Sequence, residues 1–326
     1  MLRWQQGSVL LGLMFLLVLT FLASLAIGSV SIPPVQLWGI LLGDHQQLAS
    51  TLVLQLRLPR ALNAMAVGGL LGLSGSLMQV LLRNPLADPY ILGVSGGASL
   101  GALGAMLLGV GGIFLSFSTF GGALVSILLV FVLAQKGMQW SSSRLLLTGV
   151  VMASGWGALI VLLLSLAPSD QLPGMLFWLM GDLGYAGSPW PGLVILFVVT
   201  LAILPLGRSL NLLSRGTLQA MVLGVSVRSL GWVLYLLASL LTSVAVMSAG
   251  SIGFIGLITP HVLRLLFGND HRLLLPASVL TGAILLMISD VLARTVIAPG
   301  QLPVGVITVL LGVPVFIFLL RREGRS

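Results

Sequence analysis

Apolar residues run along this chain in long unbroken stretches, with polar residues gathered between them. The stretches cover about residues 8–28, 59–82, 90–110, 118–135, 145–166, 190–207, 229–248, 252–268, 274–296 and 304–320. A helix that crosses a bilayer needs roughly 20 apolar residues, whereas barrel strands alternate in polarity. The pattern therefore predicts ten transmembrane helices in an all-α polytopic membrane protein, because only helices and closed barrels satisfy their backbone in lipid. The first stretch exceeds the apolar core of about 7–15 residues in a cleaved leader, so it is read as a retained helix. The shorter apolar piece Leu172–Met180 predicts a re-entrant or interfacial segment. No polar stretch is long enough for a soluble domain, so residues 1–326 form one transmembrane unit.

Composition agrees with this. The chain is 58% hydrophobic and 7% charged, with mean hydropathy +1.16, too few charges to cover a soluble fold. Fifteen Lys and Arg against seven Asp and Glu leave a formal charge of +8. In a soluble protein that excess would suggest nucleic acid; here no nucleic-acid partner is expected, because the charge follows topology. With the N-terminus inside, Arg3, Arg83, Lys136, Arg144, Arg208, Arg215, Arg228, Arg264, Arg272, Arg321, Arg322 and Arg325 all lie at cytoplasmic positions. Both termini are then cytoplasmic. Arg57, Arg60 and Arg294 fall outside and break the rule. Asp290 and Arg294, four apart on one helix, can pair; a basic outer rim for an acidic partner is the other reading. Gly68 with Gly72, and Gly93 with Gly97 and Gly101, have the spacing that lets helix backbones approach closely.

Several chemistries are missing. The chain has no cysteine, so disulfides and thiol nucleophiles are excluded. The only lysine, Lys136, is followed by Gly137 and Met138, so no phosphate-binding loop exists and the chain does not itself hydrolyse ATP by that machinery. An ion-coupled carrier buries acids or histidines mid-membrane; Asp290 is the one deep candidate, and Arg294 can neutralise it. His45 and His271 read as loop residues, and His261 after Pro260 as structural. Gly93-Val94-Ser95-Gly96 matches the motif of rhomboid-type intramembrane serine proteases, with His261 as the one available base. An ion-coupled carrier and such a protease stand as the alternatives to a transport subunit powered from outside.

Four stretches are more specific. They are Arg57-Leu-Pro-Arg60 with the glycine-rich run to Met78-Gln79; Asn84-Pro-Leu-Ala-Asp-Pro89 with Leu92-Gly-Val-Ser-Gly-Gly97; Ser143-Arg-Leu-Leu-Leu147; and Gly253-Phe-Ile-Gly-Leu-Ile-Thr-Pro-His261, followed by Asp270-His-Arg272, Asp290-Val-Leu-Ala-Arg294 and Leu302-Pro-Val-Gly-Val-Ile-Thr308. From about residue 50 onward the chain thus resembles the FecCD family of ABC importer permeases, which carry cobalamin, ferric siderophores and haem. The overall length and the end Gly312–Phe318 look most like the cobalamin permeases of that family.

The resemblance implies a type II ABC importer permease fold of ten helices in the bacterial inner membrane. It implies a second copy of the chain, two ATP-binding-cassette ATPase subunits on the cytoplasmic side and a periplasmic substrate-binding protein outside. No cofactor is expected on this chain; ATP and magnesium bind the ATPase. Arg57, Arg60 and Arg294 match positions that receive glutamates from the binding protein. The loop at about 208–228 matches the segment that couples to the ATPase, with Arg215, Gly216, Ala220, Leu223 and Gly224 on its pattern. Thr217-Leu218-Gln219 departs from the acidic residues that relatives often carry there. Ser141, Ser142 and Ser143, with Asn84 and Leu86, match the cytoplasmic gate.

Overall fold

The computed structural model describes residues 2–43, 48–134 and 142–323, which are mainly helical with no strand among them. The helices are α1 (Leu2–Ala26), α2 (Pro34–Leu41), α3 (Leu48–Thr51), α4 (Leu58–Leu82), α5 (Val94–Leu107), α6 (Gly112–Ala134) and α7 (Ser142–Leu166). They continue as α8 (Leu172–Leu179), α9 (Trp190–Ile203), α10 (Gly207–Arg215), α11 (Thr217–Val222), α12 (Val227–Ala249), α13 (Ile255–Phe267), α14 (His271–Thr295) and α15 (Val304–Glu323). Among the described residues, seven helical stretches are long and apolar enough to cross a membrane by length and composition; α5, α13 and Val304–Leu319 are shorter apolar helices. Together they account for the ten predicted segments.

Two of the ten differ from expectation. The segments predicted at 90–110 and 252–268 hold helices of only 14 and 13 residues, about 20 Å each. The missing lengths are irregular backbone. Residues 83–93 and 250–254 run back into the bundle, where Gly256 packs against Pro89 and the Leu71 carbonyl, halfway along α4. Irregular backbone at membrane depth survives only when protein supplies its hydrogen bonds. Here the Tyr90 hydroxyl donates to the Ile252 carbonyl and accepts from the Ile252 N–H, both at 3.1 Å. The apolar pattern cannot distinguish this arrangement from a continuous span, since both are buried.

α4 is the central rod. Leu70, Leu73, Leu77 and Met78 on it are wholly buried. Small residues let its neighbours touch backbone to backbone: a Cβ at Gly68 or Gly72 would collide with the Gly282 or Ser278 carbonyl of α14, and one at Gly75 with the Gly256 carbonyl of α13. Gly97 and Gly101 lock α5 to α6 in the same way, against Gly122 and Ser118. Gly93 does not belong to that set. It sits at φ +70 between the 3-10 turn at 89–92 and α5, a left-handed position that glycine adopts without strain. α3 runs into α4 through a π-helical turn at Leu52–Arg57.

The two ends of the bundle differ in charge. Arg83, Arg144, Arg208, Arg215, Arg228 and Arg272 lie at one end, called the basic end below, near the close of α4 and the start of α7, α12 and α14. Arg57, Arg60 and Arg294 lie at the other, the rim.

Candidate functional site: a rim and a coupling segment

At the rim, Asp290 on α14 is 1% exposed. Its Oδ1 accepts from Arg60 Nε at 2.7 Å, and its Oδ2 lies 2.9 Å from Arg294 Nε. The expected Asp290–Arg294 pair is present, and Arg60 completes a triad across α4 and α14. Arg60 further donates to Gln301 Oε1 at 3.0 Å and approaches Asp182 Oδ1 at 3.6 Å, an ion-pair distance too long for a hydrogen bond.

The three rim arginines are not equivalent. Arg57 is buried, and its guanidinium donates to the Leu25 carbonyl at 2.8 Å, to the Ala26 carbonyl at 2.9 Å and to the Val30 carbonyl. It closes the end of α1, whose last carbonyls lack helical partners. Arg294 is buried too and donates to the Ser24 carbonyl at 3.2 Å. All three border a cavity of about 400 Å³ with Gly28, Asn63 and Gln301. Arg60 is the one bound mainly to side chains.

At the basic end the chain leaves α9 and forms α10 and α11 within the loop expected at 208–228. Gly216 at φ +141 breaks the two helices apart. Arg215 is exposed at the close of α10, Ala220 is wholly buried, and Gly224 turns the chain into α12 at φ +83. Leu218, Met221, Val222 and Leu223 are 52–86% exposed, an apolar face on a six-residue helix.

The loop is fastened to α14 by groups that sequence reasoning missed. Asn211 on α10 donates to Asp270 Oδ1 at 2.9 Å. Its own Oδ1 accepts the His271 N–H at 2.8 Å and meets His271 Nδ1 at 2.7 Å. Gln6 on α1 donates to Asp270 Oδ2 at 3.0 Å. Burial pushes the Asp270 carboxyl up, but hydrogen bonds from Asn211, the Arg272 amide and Gln6 outweigh it and hold the group below its ordinary value. His271, expected in a loop, is buried in the first turn of α14. The readable signal was Asp270 as an N-cap, a residue type that opens helices; its partners are distant in sequence.

A cavity of about 730 Å³ lies beside this junction, bordered by Gln79, Arg83, Asn84, Asn211, Arg264 and Asp270. Of the expected gate residues, Asn84 borders it and accepts the Leu86 N–H at 2.9 Å; Leu86 is exposed. Ser143 is exposed at the start of α7. α7 passes beside the 84–92 segment, where Gly149 abuts the Ile91 carbonyl. Ser142 opens α7, and Ser141 lies outside the described residues. The protease alternative finds no dyad: Ser95 Oγ pairs with Ser251 Oγ at 2.7 Å, and the His261 ring packs on Phe316 with centroids 5.8 Å apart.

The FecCD transport family matches residues 16–322 of the chain. The chain belongs to this family. The FecCD match begins well before residue 50, where the recognisable motifs start. The chain is 39% identical to YvrB of Bacillus subtilis, an uncharacterised ABC transporter permease protein, over 99% of the chain and 95% of that protein. It is also 39% identical to BtuC of Salmonella newport, a vitamin B12 import system permease protein, over 99% of the chain and 96% of that protein. Among solved structures, a metal-chelate type ABC transporter in an inward-facing conformation superposes with TM-score 0.83 at 34% identity, covering 97% of this chain and 99% of the other. PsaBC from Streptococcus pneumoniae superposes with TM-score 0.56 at 19% identity, a likeness of fold alone. As a FecCD member the chain is a multi-pass permease and not itself an enzyme.

Proposed function

We propose that this chain is the membrane-spanning subunit of a binding-protein-dependent ABC importer in a bacterial inner membrane, and that it carries a large metal chelate. Cobalamin is the first choice, with a ferric siderophore or haem next. The basic end faces the cytoplasm, both termini included, as the positive-inside rule requires.

The observation that carries this reading is the exposed apolar face of α11. Leu218, Met221, Val222 and Leu223 sit beyond the spans, at the charged end, on a helix too short to hold itself in water. An apolar patch there marks a protein interface, and a permease without a phosphate-binding loop needs an ATPase partner. Two such subunits serve two copies of the chain. α7 supports the pairing: Ala153, Ser154, Gly155 and Ala158 are exposed on it, and nothing lies within 4 Å of a Cβ placed at Gly155 or Gly157. Small residues on an open membrane helix invite a second helix.

At the rim, the substrate-binding protein presents carboxylates. Arg60 is the best placed to accept one, because its Nη2 only approaches Asp182, at 3.6 Å, and makes no hydrogen bond there that an incoming carboxylate must break. Arg57 and Arg294 shape the rim around it. Asn84 and Leu86, with Ser141, Ser142 and Ser143, form the cytoplasmic gate. ATP binding and hydrolysis in the partner move α10 and α11, and the paired permeases open alternately to each side.

The test is reconstitution in liposomes with the ATPase and binding protein. The chelate carried is the one that stimulates ATP hydrolysis and accumulates. Accumulation by the purified chain without an ATPase sinks the proposal.

A further inference from the structure

The rim triad and the Asn211 junction lie at opposite ends of one helix. From Asp270 to Asp290 is 20 residues of α14, about 30 Å. Midway, Gly282 and Ser278 meet Gly68 and Gly72 with no room for a Cβ, so α14 cannot roll on α4 without first separating from it. α1 is tied to α14 at both ends, by Gln6 to Asp270 at 3.0 Å and by Arg294 to the Ser24 carbonyl at 3.2 Å. Each tie is polar and directional; between them Val9, Leu10 and Leu13 of α1 pack on Leu273, Leu274 and Ala277 of α14.

The Asp270 end is built for the same purpose. Asp270 Oδ1 accepts from both Asn211 Nδ2 and the Arg272 N–H, so one oxygen joins α10 to the first turn of α14. Asn211 answers with its own oxygen to His271. Gly207 abuts Arg272, which leaves no slack beneath the pair. Donors and acceptors thus interlock across two elements.

We propose that Asp270 is a positioning residue that fastens the coupling segment to α14 through Asn211, and that α14, moving with α1 and α4 as one body, carries displacement of that segment to the Arg60–Asp290–Arg294 rim. The inference rests on the reading of α10 and α11 as the ATPase contact. It explains how hydrolysis on one face alters the grip on a binding protein at the other.

The chain has no cysteine, so paired labels can be introduced cleanly. Ser214→Cys on α10 and Val296→Cys, both exposed, carry spin labels in the complex with ATPase and binding protein in nanodiscs. Their separation is expected to stay fixed when ATP is added. Asp270→Ala removes the oxygens to which Asn211, the Arg272 N–H and Gln6 donate. The separation should then broaden with ATP, and stimulation of hydrolysis by the loaded binding protein should fall about tenfold, an ordinary size for coupling between two sites, with basal hydrolysis kept. Asp270→Asn keeps an oxygen toward Asn211 and the Arg272 N–H while Gln6 turns its own amide oxygen to accept, and it should retain the stimulation. Three results overturn the inference: a native separation that changes with ATP, full stimulation in Asp270→Ala, or an Asp270→Asn variant that assembles yet stays uncoupled. If Asp270→Ala does not assemble, Asn211→Ala, which removes the same link from α10, takes its place. Cross-linking of Leu218→Cys to the ATPase checks the underlying reading separately. With no cross-link that reading fails; with a cross-link and normal coupling in Asp270→Ala, only this inference fails.

Discussion

Arg60 Nε donates to Asp290 Oδ1 at 2.7 Å across 230 residues of sequence. The bond joins the first turn of α4 to the last turns of α14, and the same carboxylate holds Arg294. Asp290 is therefore the counter-charge for two cations in a nearly dry site.

Asp290→Asn leaves Arg60 and Arg294 facing each other with only Asp182, 3.6 Å from Arg60, as counter-charge. Removing one member of a buried pair costs about 3–5 kcal/mol, so the variant should unfold at clearly lower temperature in detergent. If uptake is lost while thermal stability and assembly stay native, Asp290 acts in transport directly and the structural role is wrong.

Arg57 and Arg60 should separate on substitution. Arg60→Gln keeps an N–H donor for Asp290, whose counter-charge Arg294 remains, and is expected to weaken association with the substrate-binding protein while the permease still folds. Arg57→Glu breaks three bonds to the end of α1 and should lower stability instead. Surface plasmon resonance beside thermal denaturation distinguishes the two.

Val222→Asp places a charge on the most exposed apolar side chain of α11. Losing a central interface anchor costs about 2 kcal/mol or more, so the ATPase should no longer co-purify at detergent dilution. The permease alone should keep its native melting curve.

Gly75→Ala drives a methyl into the Gly256 carbonyl, whereas Gly104→Ala meets nothing within 4 Å. Overpacking costs about 1–3 kcal/mol, so the first should melt early and the second should match the native protein. Equal melting of both rejects the backbone contact between α4 and α13.

The Asp270 carboxyl sits below its ordinary value, so its bonds stabilise the fold above about pH 4 and are lost as pH falls through the depressed value. The melting difference between native protein and Asp270→Ala should be flat from neutral to mildly acidic pH and should shrink only below that range. A difference that fades near neutrality contradicts the bonding described.

The ten apolar segments were legible because lipid demands length and hydrophobicity, which sequence displays directly. The Asp290–Arg294 pair was legible because helical spacing sets it. Arg60 as a third member was not, since only tertiary packing of α4 on α14 brings it there. Arg57 reads as an outward cation by charge alone, yet its guanidinium turns inward to carbonyls that a sequence does not reveal as unpaired. The short α5 and α13 were hidden because a protein-lined irregular segment is as apolar as a helix. His271 looked like a loop residue because Asn211, which fixes it, lies sixty positions away.

One phenol oxygen does for Ile252 what a whole turn of helix does for its neighbours. Where the strand of peptide between α12 and α13 dips to mid-depth, Tyr90 alone answers both its amide and its carbonyl. Bonds borrowed from a side chain hang on that one residue, which those of a helix do not. Tyr90→Phe would therefore strip two peptide groups deep in the bundle of their answer at a single stroke.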